Sequence, residues 1–433
     1  MGPLPSSLGD INSQINFDAS PIMSKIAIIG AGITGVTTAF ALCERGHKVT
    51  VFDRHRYAAM ETSYANGGQL SASNAEVWNS WSTVRKGLGW LLHSNAPLLL
   101  SLKPSWHKYS WLTEFLVAIT RYEKNSIETT RLAIEARRHL LRMAETAKVD
   151  FDIENRGILH VYHDAKDFAQ ATKSNRLLQA GGLERRAVTP EEIRSIEPAL
   201  TGNYHGGFYT PSDFTGDIHK FVTGLTAYCA QQGVRFLFGV EADVAAQPGE
   251  RIRVGWSAES REQGTGLPLE EKFDAVVICA GVDSRQFAAA LGDRVNVYPV
   301  KGYSITVQLD AEQDQMAAPR VSLLDERAKI VTSRLGDDRF RVAGTAEING
   351  ANRDIRADRV KPLVEWVERN FPRVSTRRVV PWSGLRPMMP DMMPRVGPGR
   401  RKGVFYNTGH GHLGWTLSAA TAEMVATQIG GAE

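Results

Sequence analysis

The sequence predicts the α/β class: a Rossmann-like dinucleotide-binding domain interrupted by a mixed, largely antiparallel β-sheet domain. Three observations predict it. A strand, a glycine-rich turn, a helix and a second strand follow one another from Lys25 to Asp53. From Val297 onward the pattern changes to alternating strands. Near the carboxyl end a buried strand, a glycine cluster and a helix return to the opening pattern.

The apolar run Ile26–Ile29 reads as a parallel strand buried on both faces. Gly30, Gly32 and Gly35 follow in G-x-G-x-x-G spacing around Ile33 and Thr34. Val36, Ala39, Phe40 and Cys43 then share one helical face, and Gly46 ends the helix. Lys48–Phe52 makes the second strand, with Asp53 at its carboxyl end and Arg54 beyond. Each choice has a chemical reason. Gly30 makes the tight turn, Gly32 admits a pyrophosphate to the backbone, and Gly35 lets helix and strand pack closely. The helix N-terminus favours phosphate charge, and Asp53 can accept hydrogen bonds from a ribose diol.

The loop Glu61–Ser71 is small and polar, suited to lying over a ligand or to an ordinary surface position. Residues 76–122 hold Trp78, Trp81, Trp90, Trp106 and Trp111, with Leu91, Leu92 and Leu98–Leu100 among them. His93, Asn95, Pro97, Lys103 and Pro104 interrupt this stretch, so it cannot span a bilayer. Two readings stay open: a packed helical subdomain, or an interfacial patch whose Arg85, Lys86, Lys103 and Lys108 meet anionic lipid. A long amphipathic helix is expected over Ser126–Lys148, with Ile127, Ile134, Leu140, Leu141 and Ala144 inward. A strand at Gly157–Tyr162 follows. Thr189 should cap a short helix starting at Pro190, and Ile218, Phe221, Val222 and Leu225 face inward on another that stops at Gly233. The strand Val234–Phe238 comes next, then a polar hairpin or insertion over Ala246–Lys272 and a buried strand over Phe273–Gly281. Strands at Tyr303–Val307, Lys329–Thr332 and Arg339–Ala343 form the antiparallel sheet, and a helix around Pro362–Phe371 closes it. Val404–Asn407 returns to the first domain, and the last helix runs from Trp415 to about Ile429.

These assignments divide the chain into a dinucleotide domain (23–75, 214–296 and 396–433) and a substrate domain (76–213 and 297–395), after a leader or tail over 1–22. Met23 reads as the natural start. The 433 residues, 42% hydrophobic and 23% charged, are those of an ordinary globular protein. A net charge of +4 without a dense basic run argues against nucleic acid. Cys43, Cys229 and Cys279 lack metal-like spacing and read as buried thiols in a reducing compartment, the cytoplasm or the inner face of its membrane. No metal is expected.

Four blocks carry a family likeness: Glu61–Asn66, Tyr298–Thr306, Trp382–Asp391 and Asn407–Thr416. With the glycine motif they resemble the flavin-dependent D-amino-acid oxidase superfamily, and within it bacterial D-amino-acid dehydrogenases of the small-subunit type. The likeness runs from about Lys25 through the last helix. It implies FAD, bound without a covalent link, with Gly30, Gly32 and Gly35 at the pyrophosphate and Asp53 at the ribose. Ser63, Asn66, Gly67, Gln69 and Leu70 would lie along the cofactor, Val244 would bracket the adenine, and Ala280 and Gly281 would pass close by. Gly409, Gly411, His412, Leu413 and Gly414 would meet the isoalloxazine, with the helix N-terminus facing its pyrimidine edge. Arg386 matches the position that grips the substrate carboxylate, where a planar guanidinium makes two parallel hydrogen bonds. His410 and His412 are candidates to line the ring.

The chain also departs from the family. Ala328 stands where close relatives carry a tyrosine, leaving Tyr303 or another hydroxyl to substitute, and Met392–Pro394 replaces smaller residues. The implied reaction is oxidative deamination of D-amino acids or similar small amino acids, by hydride transfer from Cα to flavin N5, with electrons passed to a quinone or another carrier. No strong general base is visible, and hydride transfer from a neutral amine needs none. The alternatives are a glycine/sarcosine-type or imino-acid oxidase using oxygen, a nicotinamide-dependent dehydrogenase, and a non-catalytic flavoprotein or membrane-docked scaffold.

Overall fold

A computed structural model describes residues 23–90, 97–258 and 269–431. Its first sheet has six strands in the order 395–398, 404–408, 275–278, 25–29, 48–53 and 235–238. Five run parallel and the edge strand Arg395–Pro398 is antiparallel to its neighbour. The strand Lys25–Ile29 is apolar throughout its interior because both of its faces are covered. Ile26 and Ile28 pack under the helices Ile33–Cys43, Ile218–Gln231 and Gly414–Gly430. Ala27 and Ile29 pack under an antiparallel meander of Val240–Ala245, Ile252–Ala258 and Leu269–Phe273. That meander occupies the expected polar hairpin; residues 259–268 of it lie outside the described residues.

The second sheet has nine strands, in the order 379–388, 298–308, 339–348, 330–335, 322–325, 158–162, 206–210 and 186–188, with Leu98–Leu100 added beside 339–348. Pairing is antiparallel except at 322–325 with 158–162 and at 98–100 with 339–348. The helix Ala357–Asn370 closes one face. It starts earlier than expected and carries Pro362 inside it. Its buried face (Arg359, Leu363, Trp366, Val367, Asn370) has helical spacing, and this outweighs the one backbone bond the proline removes.

The long helix runs Tyr122–Ala147, and Leu140, Met143 and Ala144 face inward while Leu141 is 40% exposed. Leu141 lies about 100° round the helix from Leu140, so it cannot share that face. Thr189 closes a complete capping box with Glu192 on the helix Pro190–Ile196. The Trp-rich segment forms two helices, Trp81–Trp90 and Trp106–Val117, around the strand Leu98–Leu100; Leu91, Leu92, His93 and Asn95 lie outside the described residues. Trp111 is buried and its indole N–H donates to Met388 O at 2.8 Å. Trp106 and Leu102, in contrast, are 85% and 84% exposed. Lys108 is buried, its ammonium bound by the carbonyls of Ser101 and Lys103, so it does not face outward. Among the described residues no helix is long and apolar enough to cross a membrane. All three cysteines are free thiols, Cys229 and Cys279 buried and Cys43 half-buried.

Candidate active site

Both sheets wall a single cavity of about 770 Å³, near the upper end of the range for ligand pockets. At one end lies the glycine turn. Gly30 has φ +105°, and a Cβ there would sit 2.6 Å from Cys279 O. Gly30, Gly32, Ile33 and Thr34 line the cavity, as do Asp53, Arg54, Ala280 and Gly281. The first helix has no side chain at its own N-cap, Gly32. Instead Ser63 Oγ, from the distant loop, accepts the Ile33 N–H at 3.0 Å. Asp53 braces the turn, accepting from Ala31 N at 2.7 Å and His55 N at 2.8 Å. Arg54 is held between Glu61 and Asp283.

Three expected positions do not line the cavity. At Gly35 a Cβ would lie 1.8 Å from Gly30 O, the close helix–strand packing that the motif's third glycine allows. Leu70 turns into the core under the first sheet. Val244 is buried with Val254 and Phe273, further along its strand from the cavity, whose lining there is Val240, Glu241 and Ala242.

The loop Glu61–Ser71 crosses the cavity because the second sheet ties it down. Thr62 Oγ1 donates to Leu385 O, Ser304 Oγ to Ala65 O, Arg341 to Asn66 O, and Ser333 Oγ to Gly67 O, at 2.6–3.0 Å. Gln69 donates to Ser322 Oγ at 2.8 Å. Asn66, Gly67 and Gln69 all line the cavity.

At the other end stands Arg386, on the strand Val379–Met388 opposite Val300. A Cβ on Gly302 would fall 2.4 Å from its Cζ, so the glycine leaves room for the guanidinium. No described residue gives that guanidinium a hydrogen bond or a carboxylate, and burial pushes its pKa down to about 10. Tyr303 falls on the other face of the sheet. Its ring lies beneath Lys301 Nζ and its hydroxyl points to Asp354 O at 3.4 Å, because side chains alternate and Tyr303 pairs with Ser383 rather than with the Arg386 register. Tyr303 borders the cavity, but its hydroxyl is turned away from the Arg386 guanidinium. Met392 and Met393 do not line the cavity; Met392 packs with Trp111 and Tyr298 behind its wall.

Gly409, Gly411, Leu413 and Gly414 line the cavity where the last helix begins, again without a side-chain cap. His410 is buried against Thr421 Oγ1 at 2.9 Å, and burial lowers its pKa to about 3. His412 stacks on Trp78, ring centroids 4.6 Å apart, with Nε2 3.4 Å from Asn74 O. A carbonyl only accepts, so Nε2 carries the proton and Nδ1 presents its lone pair. Burial, with Arg386 nearby, holds the pKa of His412 down to about 4.

Sequence reasoning missed a polar cluster in the same cavity: Glu76, His160, Arg185, Glu326 and Lys329. They come from four segments with no common motif, Glu326 and Lys329 sharing one turn. The one local signal is Lys329, which has φ +55° and closes a turn onto Glu326.

Residues 25–428 match the family described as FAD dependent oxidoreductase. The chain belongs to that family. It is 59% identical over 407 residues to D-amino acid dehydrogenase 3 of Mesorhizobium japonicum, covering 94% of this chain and 97% of that protein. It is 38% identical to the D-amino acid dehydrogenase of Paramagnetospirillum magneticum, covering 94% and 95%. The fold is that of glycine oxidase from Geobacillus kaustophilus (TM-score 0.72, 19% identity, 94% and 95% covered). It is also that of L-proline dehydrogenase from P. horikoshii (TM-score 0.71, 16% identity, 94% of each covered).

The residues present fit FAD. Two helix N-termini without side-chain caps of their own open onto one cavity, one at a glycine turn with an acidic residue beside it. Gly32 and Thr34 would hold the pyrophosphate, Asp53 the ribose, and Gly411–Gly414 the flavin.

Proposed function

We propose that the enzyme oxidatively deaminates D-amino acids as a dehydrogenase, and the observation that carries the substrate end is Arg386. FAD, when bound, supplies the two-electron acceptor. A guanidinium sunk in the cavity without an anion is costly, and a substrate carboxylate removes that cost through two parallel hydrogen bonds. The grip fixes Cα. Neutral His412, stacked on Trp78, can accept a hydrogen bond from the substrate amine at Nδ1 but is too weak a base to take its proton. The loop tied to the second sheet forms part of the cavity wall.

FAD would be held without a covalent bond. The Cys279 thiol is turned to Thr38, and burial pushes its pKa up to about 12, leaving no thiolate to react. Acid precipitation should release all the yellow colour. The electron acceptor would be a quinone or another carrier; a quinone would be reached through weak docking on a membrane by the exposed Trp106 and Leu102. Anaerobic bleaching of the flavin by D- but not L-amino acids tests the main reading. Failure to bleach with any amino acid refutes it, and rapid peroxide production in air would favour an oxidase.

A further inference from the structure

We propose that the cavity contains a second anion-binding subsite built on Arg185, and that the preferred substrates are D-amino acids whose side chain ends in a carboxylate. This rests on the reading of Arg386 above and extends it to the side chain.

Most charged groups around Arg185 are paired or neutral. Lys86 faces Asp167 at 3.6 Å, and Lys329 is paired with Glu326. Burial opposes the charge of Glu326, yet Lys329 and His160 hold its carboxyl below the ordinary range. Glu76 accepts hydrogen bonds from Tyr122 and from Ser174 at 3.0 Å, while burial favours its neutral form. His160 donates or accepts with Ser73 at 2.9 Å, and burial, with Arg185 nearby, keeps it uncharged near neutral pH, its pKa down at about 4. One charge is left over. Arg185 is only 7% exposed, and none of its described contacts is a carboxylate. Nη1 lies 3.4 Å from Asn175 Oδ1, and the guanidinium sits 4.6 Å over the Phe208 ring. Its buried Nε has no hydrogen-bond partner among the described residues.

Neutral contacts satisfy part of a guanidinium's geometry without cancelling its charge. Among the described residues the cavity therefore holds two arginines, Arg185 and Arg386, with no carboxylate within ion-pair distance. A carboxylate on the substrate side chain would give Arg185 the anion it lacks, as the α-carboxylate would for Arg386, and the planar fork of each suits that group. A cationic side chain is disfavoured, because Glu326 and Glu76 are already engaged and Arg185 would face it.

The test uses the FAD-loaded full chain under anaerobic conditions, comparing the second-order rate of flavin reduction by D-glutamate with D-glutamine and by D-aspartate with D-asparagine. A buried charge contact of this kind predicts an acid-to-amide ratio of roughly 30 or more. In Arg185→Met the ratio should fall towards one, with Arg185→Lys between; a ratio that does not depend on the variant's overall activity separates recognition from a general structural defect. Wild-type titration with glutarate against butyrate, followed by flavin absorbance, reads the subsite without oxidation and without a variant. Tighter binding of glutarate supports the proposal. A wild-type preference for the amides or for D-arginine overturns it, as does an Arg185→Met variant that keeps the acid preference. If D-alanine bleaches the flavin and the acids show no advantage, this inference falls and the dehydrogenase reading stands. If no amino acid bleaches it but glutarate binds more tightly than butyrate, the subsite stands and the dehydrogenase reading falls.

Discussion

Lys301 and Arg386 lie on opposite faces of one pair of hydrogen-bonded strands, and only Lys301 has a partner. Lys301 is fully buried, with Nζ 2.9 Å from Glu347 Oε2, 2.7 Å from Asn352 Oδ1 and 3.1 Å from Asp354 O. Burial opposes its charge, but Tyr303 and Glu347 hold its pKa above the ordinary lysine value. Glu347 is further approached by Arg356 and Arg359, at 3.3 and 3.7 Å. Arg386, opposite the adjacent register position, has none of this and faces the cavity. The difference separates two uses of a buried cation. One neutralised within the chain holds sheet and helix together; one left bare awaits an anion from outside.

The largest effect should follow from removing the bare cation. Arg386→Ala deletes a charge-assisted contact worth about 2–5 kcal/mol, or roughly 30- to 5000-fold in the second-order rate of flavin reduction. Arg386→Lys should recover part of this, since a point charge cannot reproduce the fork. Unfolding stability should hold or rise, because an uncompensated, half-buried charge is gone. An alanine variant that reduces flavin at the wild-type rate would remove the carboxylate assignment.

Lys301→Met should show the opposite pattern. It leaves Glu347 buried with only its more distant arginines, and breaking a buried pair costs about 3 kcal/mol or more. Denaturant unfolding reads this directly. Adding Glu347→Gln should restore part of the loss; no recovery would mean the pair is not the source of the effect.

How much of this was legible in the sequence depends on locality. The nucleotide end was readable because its residues are contiguous: Gly30 to Asp53 form one strand–helix–strand unit. Arg386 was readable only through a family block. The strand alternation that places Tyr303 away from Arg386 was in principle available, but it needs the register with Ser383, which sequence does not supply. Gly35, Leu70 and Val244 stand back from the cavity lining because a motif gives spacing, while close packing decides which atoms reach the cavity. Arg185 and Glu76 had no signal at all, since the neighbours that define them, Asn175 and Phe208 for one and Tyr122 and Ser174 for the other, belong to other elements.

Buried histidines sharpen the comparison, because unlike arginine they can shed an unpaired charge. His160 and His412 titrate at about 4, and His410 at about 3, against an ordinary value of 6.5, with burial the leading cause in each. The unfolded chain therefore binds protons that the folded one does not. Their full contribution to stability is present above pH 6.5 and is lost as pH falls towards 4, by up to about 1.4 kcal/mol per pH unit for each ring. Glu76 and Asp213, whose carboxyls burial raises, titrate in the opposite sense. The difference in slope between wild type and His410→Gln isolates the imidazole. Equal slopes between pH 6.5 and 4.5 would show that His410 is not held neutral by the fold.

The smallest effect concerns Trp111 and Trp106, which repeat the contrast with rings in place of charges. Trp111 is buried and donates to Met388 O; Trp106, five residues before it on the same helix, is 85% exposed. Leu102, Val117 and Leu116 are exposed nearby in sequence, and Lys103 stands beside Leu102. Lys108 cannot assist, since its ammonium is spent on two carbonyls. If the patch docks on a bilayer, its rings enter the headgroup layer and the free basic residues Arg85 and Lys103 add only about 1 kcal/mol each. The protein should float with anionic vesicles at low salt and be released as salt screens the charges. Trp106→Ser with Leu102→Ser should abolish flotation while leaving the flavin spectrum unchanged, because neither residue lines the cavity. Flotation that survives both substitutions would place the contact elsewhere, and a wild type that stays at the bottom would leave Trp106 as an exposed ring without a membrane role.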